Sequence, residues 1–203
     1  MLLLIISKRG LVMCNFRKTA LRAVNGMTSD GAKLAIRTVI FLVLVPGSVT
    51  VLLPLNFYRA DHAAPEKLGW LRFLGWAPIA AGILLLLCAA AEFLLRGRGT
   101  PAVWFTEPLR FVLGREPQVL VQGTVYRYTR NPMYVGVLAI LFGEALVWAS
   151  PELLWYAVAA CVVFELVVVL VEEPHLRRKR GPDYTRYCGE VPRWLLKLSR
   201  KRQ

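Results

Sequence analysis

The sequence predicts an all-α, polytopic membrane helical bundle of about four transmembrane helices, and three observations carry that reading. Of the 203 residues, 56% are hydrophobic and only 19% charged, against about 45–50% apolar and about 25% charged in an ordinary soluble domain. The apolar residues fall into four blocks, 34–57, 70–95, 132–149 and 151–171, each of a length that can cross a bilayer. The surplus positive charge (26 Lys and Arg against 13 Asp and Glu, a net +13) lies between the blocks rather than within them. A soluble globular domain, a disordered chain and a secreted disulfide scaffold are excluded together.

The elements follow in order. Residues 1–33 form a basic segment ahead of an integral membrane domain, 34–203. Its apolar opening, Met1 to Ile6, is too short for a signal-peptide core. At 1.5 Å per residue, blocks of about 18–26 residues cover a hydrocarbon layer of about 30 Å, and the third block needs its interfacial ends to do so. Trp70, Trp148 and Trp155 fall where the blocks meet the interfaces. Gly136, Ala139 and Gly143 give the third block one face of small residues, on which a neighbouring helix can approach closely. Ser150-Pro151 is so short a connection that the third and fourth blocks must form an antiparallel hairpin, with Pro151 in a first helical turn.

Charge sets the orientation. Residues 1–33 carry six Lys and Arg, 96–131 six and 172–203 ten, whereas 58–69 and 150–152 carry two between them, Arg59 and Lys67. The positive-inside rule then places both termini and the long middle loop in the cytoplasm. It also accounts for the basic residues without nucleic acid, for which no motif is present. Cys14, Cys88, Cys161 and Cys188 form no C-x-x-C pair and only His62 and His175 join them, so no metal site is expected.

Two cytoplasmic segments carry more chemistry than packing requires. In Gln118-Val119-Leu120-Val121-Gln122-Gly123-Thr124-Val125-Tyr126-Arg127-Tyr128-Thr129-Arg130-Asn131-Pro132-Met133-Tyr134-Val135-Gly136, Asn131 can cap a helix whose opening turn holds Pro132. Such a helix start attracts a carboxylate, and Arg130 adds a fixed positive charge beside it. The second segment, from Glu172-Glu173-Pro174-His175 to Val191-Pro192-Arg193-Trp194, opens with two carboxylates expected to end the fourth span, where they can accept bonds from hydroxyls or an ammonium group. A ligand with a carboxylate, an ammonium and a diol suits these two ends. Taken singly, Arg127 and Arg130 also satisfy the positive-inside rule, and the tyrosines also suit an interfacial belt.

At these residues the sequence resembles the membrane-embedded methyltransferases typified by isoprenylcysteine carboxyl methyltransferase, with phospholipid methyltransferases as relatives, and in particular their bacterial-type members. Arg130-Asn131-Pro132-Met133-Tyr134-Val135-Gly136, a span pair, Glu172-Glu173, and Gly181 through Val191-Pro192 reproduce the ordered pattern of that family over residues 97–195. The resemblance implies an S-adenosyl-L-methionine site at the cytoplasmic interface of a bacterial inner membrane, lined by Gln118, Val119, Leu120, Val121, Tyr126, Asn131, Pro132, Met133, Tyr134 and Glu172. It also implies a lipid or amphipathic methyl acceptor. Phospholipid headgroup N-methylation is one form of that activity. A non-catalytic membrane adaptor or transporter on the same fold is the reading from another class.

The catalytic residue is left open among Arg130, Glu144 and Glu165. Carboxyls within spans, Glu92, Glu144 and Glu165 here, are costly in lipid and either join helices or line a cavity. Where the isoprenylcysteine enzymes carry a substrate-contacting Arg, four residues before the first Glu, this chain has Val168. With no charge at Val168, and with Glu144 and Glu165 repelling a carboxylate if ionised, the expected acceptor is a neutral or cationic amphiphile rather than a prenylcysteine acid.

Overall fold

The computed structural model describes residues 29–58, 65–97 and 120–194. Most of the basic N-terminal segment, as well as Gln118 and Val119, lies outside the described residues. Helix α1 (Ser29–Leu44) runs through a π-helical turn (Ser48–Leu52) into α2 (Pro54–Tyr58). A 3-10 segment (Pro65–Gly75), kinked at Gly69, leads into α3 (Trp76–Glu92), which ends in a second π turn (Phe93–Gly97). Beyond the loop come α4 (Pro132–Trp148), α5 (Pro151–Val167), a third π turn (Val168–Glu172) and α6 (Glu173–Glu190). No strand occurs among the described residues. Three continuous helical stretches, Gly31–Phe57, Leu68–Leu95 and Pro151–Glu190, are long and apolar enough to cross a membrane. The 17 residues of α4 span about 25 Å and come up short, as expected of the third block.

Two of the π turns have the same cause. Each ends two residues before a proline, Pro54 or Pro174. A proline inside an α-helix would press its ring on the carbonyl four residues back and leave a hydrogen bond unmade. Widening the turn relieves both problems: Leu53 N–H reaches the Ser48 carbonyl (2.9 Å) and Glu173 N–H that of Val168, each five residues back. The Val49 carbonyl, opposite the missing N–H of Pro54, is taken by the Tyr156 hydroxyl of α5 at 2.9 Å. Within a membrane every such group needs a partner.

The third turn carries the helix on beyond the end of the fourth span. Glu172-Glu173 end the apolar part of the fourth span but not its helix, which continues to Glu190 with a kink at Gly181 (φ 51°). The widened turn carries the chain past Pro174 without a break, and the apolar stretch stops at Val171.

The third and fourth spans form the expected hairpin. Ala149 takes the left-handed conformation (φ 48°) that closes α4, and the Ser150 hydroxyl accepts a bond from Leu153 N–H (3.2 Å) to cap α5. The tightest pairing is nevertheless between α3 and α4, where glycines meet glycines. A Cβ on Gly82 would lie 2.4 Å from the Gly136 carbonyl oxygen, and one on Gly75 would lie 2.5 Å from that of Gly143. The small face of the third block thus packs on a matching face of the second, seven residues apart in both. Leu86, Val137, Ile140, Leu141, Ala157 and Ala160 form the core around this contact. Outward-facing Leu154, Trp155, Val162, Val163, Leu166 and Leu170 are the apolar surface a bilayer covers. Gly82→Val forces backbone apart or a side chain off-rotamer, and is expected to cost about 1–3 kcal/mol, read as a lower thermal transition in detergent. A transition equal to that of the unsubstituted protein would contradict this packing.

Candidate functional site

The loop before α4 and the tail after α6 meet at one end of the bundle, where α3 and α5 finish and α4 begins. The loop is fastened largely through backbone atoms of the tail. Arg130 N–H donates to the Pro192 carbonyl at 3.0 Å, the Thr129 hydroxyl to the Arg193 carbonyl at 2.9 Å, and the Asn131 amide nitrogen to the same carbonyl at 3.2 Å. The Tyr187 hydroxyl donates to the Tyr126 carbonyl at 2.6 Å. Tyr184, Tyr187 and Val191 pack beneath this junction against Leu120, Leu176 and Cys188.

One carboxylate holds the junction electrostatically. Glu173 Oε1 accepts from Arg130 Nη1 (3.0 Å) and Arg193 Nε (2.7 Å), while Oε2 faces Arg177 Nη2 at 3.7 Å. Its side chain is only 7% exposed. Burial pushes its pKa up, but the Arg193 hydrogen bond and the charges of Arg130, Arg193 and Arg177 outweigh it and hold the carboxyl below its ordinary value. Arg130 also contacts Cys188 Sγ at 2.8 Å.

The residues expected around a cofactor divide between two neighbouring positions. Val121 and Tyr126 are buried together with Ala89 and Phe93 of the second span, and Met133 packs against them; the Phe93 and Tyr126 rings meet edge to face at 5.4 Å. Burial, then the nearby Tyr187 and Glu172, push the Tyr126 phenol well above its ordinary pKa, so it stays protonated at neutral pH. One helical turn further on, the Tyr134 hydroxyl donates to Glu172 Oε1 at 2.5 Å, joining α4 to the π turn that ends α5. Pro132 occupies the first turn of α4 as expected. Asn131 sits at the N-cap but does not cap, because its side chain is turned to the tail.

The three catalytic candidates separate. Arg130 is tied to Glu173. Glu144 lies ten residues beyond Tyr134 on α4, about 15 Å away and toward the opposite end of the span. Glu165 is brought to the site, paired with groups of the tail. Arg193 Nη1 donates to its Oε1 at 2.8 Å and the Trp194 indole N–H to its Oε2. Its repulsion of an anionic acceptor is thereby offset, and Val168 is 1% exposed within the packing. A cation does stand at this level, and it comes from the tail. Arg193 and Trp194 close the second sequence segment and carry no feature there that marks a role. An intramembrane Glu without a cation on its own helix was the available signal.

The described fold defines an integral membrane protein of helical type, with the middle loop, the acidic step after the last span and the tail gathered at one end of the spans. The family model for phospholipid methyltransferase matches residues 100–182, from the loop through both spans of the hairpin into α6. An uncharacterized protein of Haemophilus influenzae is 37% identical over 67 residues, 31% of this chain and all of that relative. No solved structure matches. The chain belongs to the phospholipid methyltransferase family, a family of membrane methyltransferases.

The Glu173 centre makes a clear pH dependence. Because its pKa is lowered in the folded protein, its contribution is complete above the ordinary carboxylate value of 4.5 and is lost as pH falls through the lowered one. Glu173→Gln is expected to lose about 1–3 kcal/mol at neutral pH, since Arg130 and Arg193, 11% and 29% exposed, lose the charged acceptor they share. Thermal transitions recorded from pH 7 down to pH 3 check both points. The acid-side decline should be steeper in the unsubstituted protein than in the variant, and parallel curves would contradict the assignment.

Proposed function

We propose that this protein transfers a methyl group from S-adenosyl-L-methionine to a lipid-like or amphipathic acceptor at the cytoplasmic face of a bacterial inner membrane, with both termini cytoplasmic. The single observation that carries this reading is the Tyr134–Glu172 hydrogen bond, which joins the Pro132 helix start to the acidic step. The donor set suits such a cofactor. The α4 start has no side-chain cap, so its N–H groups and dipole favour a carboxylate. Glu172 can accept from hydroxyl or ammonium groups.

S-adenosyl-L-methionine supplies a methyl group already activated on a sulfonium, so the protein needs no nucleophile of its own. Its residues have to bind, orient and exclude water. Leu120, Val121, Tyr126, Asn131, Pro132, Met133, Tyr134 and Glu172 hold the cofactor in this reading, as do Gln118 and Val119 from outside the described residues. Arg130 is a positioning residue, keeping loop and tail in register through Glu173. An amine acceptor must lose a proton before transfer, for which a nearby carboxylate serves as base; a carboxylate acceptor needs none. Phospholipid headgroup N-methylation is the specific form that the family match favours.

Calorimetry of the purified full-length protein with S-adenosylhomocysteine tests the reading and separates it from a non-catalytic adaptor. Binding is expected, and Glu172→Gln should weaken it roughly five- to 150-fold, the loss of one charged acceptor at about 1–3 kcal/mol. No binding by the unsubstituted protein, or full affinity in a folded Glu172→Gln variant, would overturn it.

A further inference from the structure

An ion pair stands open on the side of the last span. Glu165 lies six residues before Val171, about 9 Å inside the end of the apolar stretch. Its side chain is 43% exposed and that of its partner Arg193 29% exposed, at an N–O distance of 2.8 Å. A pair at this depth that served only to join helices would be expected to be sealed. Ionisable groups within spans otherwise face a cavity or a polar ligand, because lipid chains give them no solvation. The neighbouring apolar residues of α5, Leu166, Val162 and Val163, are exposed on the surface of the bundle.

The charges are arranged for recognition. Arg193 is held rigidly: Nε is bound to Glu173 and Nη1 to Glu165, and among the described residues Nη2 makes no hydrogen bond. A guanidinium fixed in this way presents its outer edge to a phosphate or carboxylate. Glu165 keeps lone pairs beyond those used by Arg193 and Trp194, and a carboxylate accepts readily from an ammonium. Tyr134 connects this pair to the cofactor residues. Its ring lies 4.7 Å from Phe164 and 6.3 Å from Trp194, centroid to centroid, while its hydroxyl is bound to Glu172.

We propose that Arg193 and Glu165, brought together by the tail, form the headgroup site of the methyl acceptor. Arg193 takes the anionic group of an amphiphile arriving from the bilayer, and Glu165 takes the cationic or hydrogen-bond-donating group beside it. That the bound amphiphile is methylated rests on the methyl-transfer reading above; that it binds here does not.

The test uses full-length protein in detergent and three short-chain lipids with identical acyl chains: a phosphatidylethanolamine, a phosphatidylglycerol and a diacylglycerol. They carry phosphate with ammonium, phosphate alone, and neither. Unsubstituted protein should bind them in that order. Arg193→Gln should weaken both phospholipids roughly tenfold toward the diacylglycerol, the loss expected for one charge-assisted hydrogen bond. Glu165→Gln should lower the phosphatidylethanolamine to the level of the phosphatidylglycerol while S-adenosylhomocysteine binding stays within about twofold. Because Glu165→Gln leaves the Arg193–Glu173 contact in place, it reports on recognition even where Arg193→Gln fails to fold. Equal binding of the three lipids, or a uniform loss across them in a folded Glu165→Gln variant, overturns the proposal. Failure of the methyl-transfer reading is seen separately, as absent S-adenosylhomocysteine binding with the lipid order intact.

Discussion

A buried carboxylate, Glu173, gathers cations from three separate segments: Arg130 before α4, Arg177 one turn along its own helix, and Arg193 in the tail. Removing a carboxylate from water is expensive, and it is tolerated here because several guanidinium groups surround it. Everything that defines the site follows from that arrangement. Arg130 fixes the residues just before Pro132, and with them the direction of the α4 start. Arg193 fixes the tail, whose next residue lies against Tyr134. Charge and backbone act together: the carbonyls of Pro192 and Arg193 receive the loop while the Arg193 side chain is held from the other side.

The scaffold beneath is organised by backbone constraints rather than by large side chains. Facing glycines let α3 and α4 approach until carbonyl oxygens fill the places that Cβ atoms would occupy. This brings Phe93, at the C-terminal end of the second span, to the loop residue Tyr126. On the other side, the π turn forced by Pro174 ends in Glu172 and Glu173, which point to different partners, Tyr134 and the arginine cluster respectively. Widened turns of this kind often occur at functional positions of helices. Here the proline that makes the turn necessary is part of the same short motif as the two carboxylates.

Much of this was legible in the sequence. The four spans, the Ser150-Pro151 hairpin and the small face of the third span follow from apolar block length, turn chemistry and residue size. The resemblance points to both Tyr134 and Glu172, 38 residues apart, and the two are hydrogen-bonded. The tail was harder to read because it binds the loop through main-chain carbonyls, which every residue has, across 64 residues in the case of Thr129 and Arg193. For the same reason Asn131 looked like a cap, and only the presence of the tail carbonyl explains why it is not one. The matching Gly75 and Gly82 were readable in principle, since they share the seven-residue spacing of Gly136 and Gly143. The continuation of the last helix past Glu173 was not, because Pro174 ordinarily signals a break and the π turn that accommodates it leaves no mark of its own.

The most direct test of loop and tail acting as one unit is the exchange rate of a single amide. Arg130 N–H is bound to the Pro192 carbonyl and not to any group of its own segment. Residue-resolved hydrogen–deuterium exchange on the full-length protein in detergent should therefore find this amide protected nearly as well as the core of α4. Protection should vanish when Val191 to Trp194 are replaced by Gly-Ser repeats, with the spans unchanged. Rapid exchange at Arg130 in the unsubstituted protein, or protection that survives replacement of the tail, would contradict it.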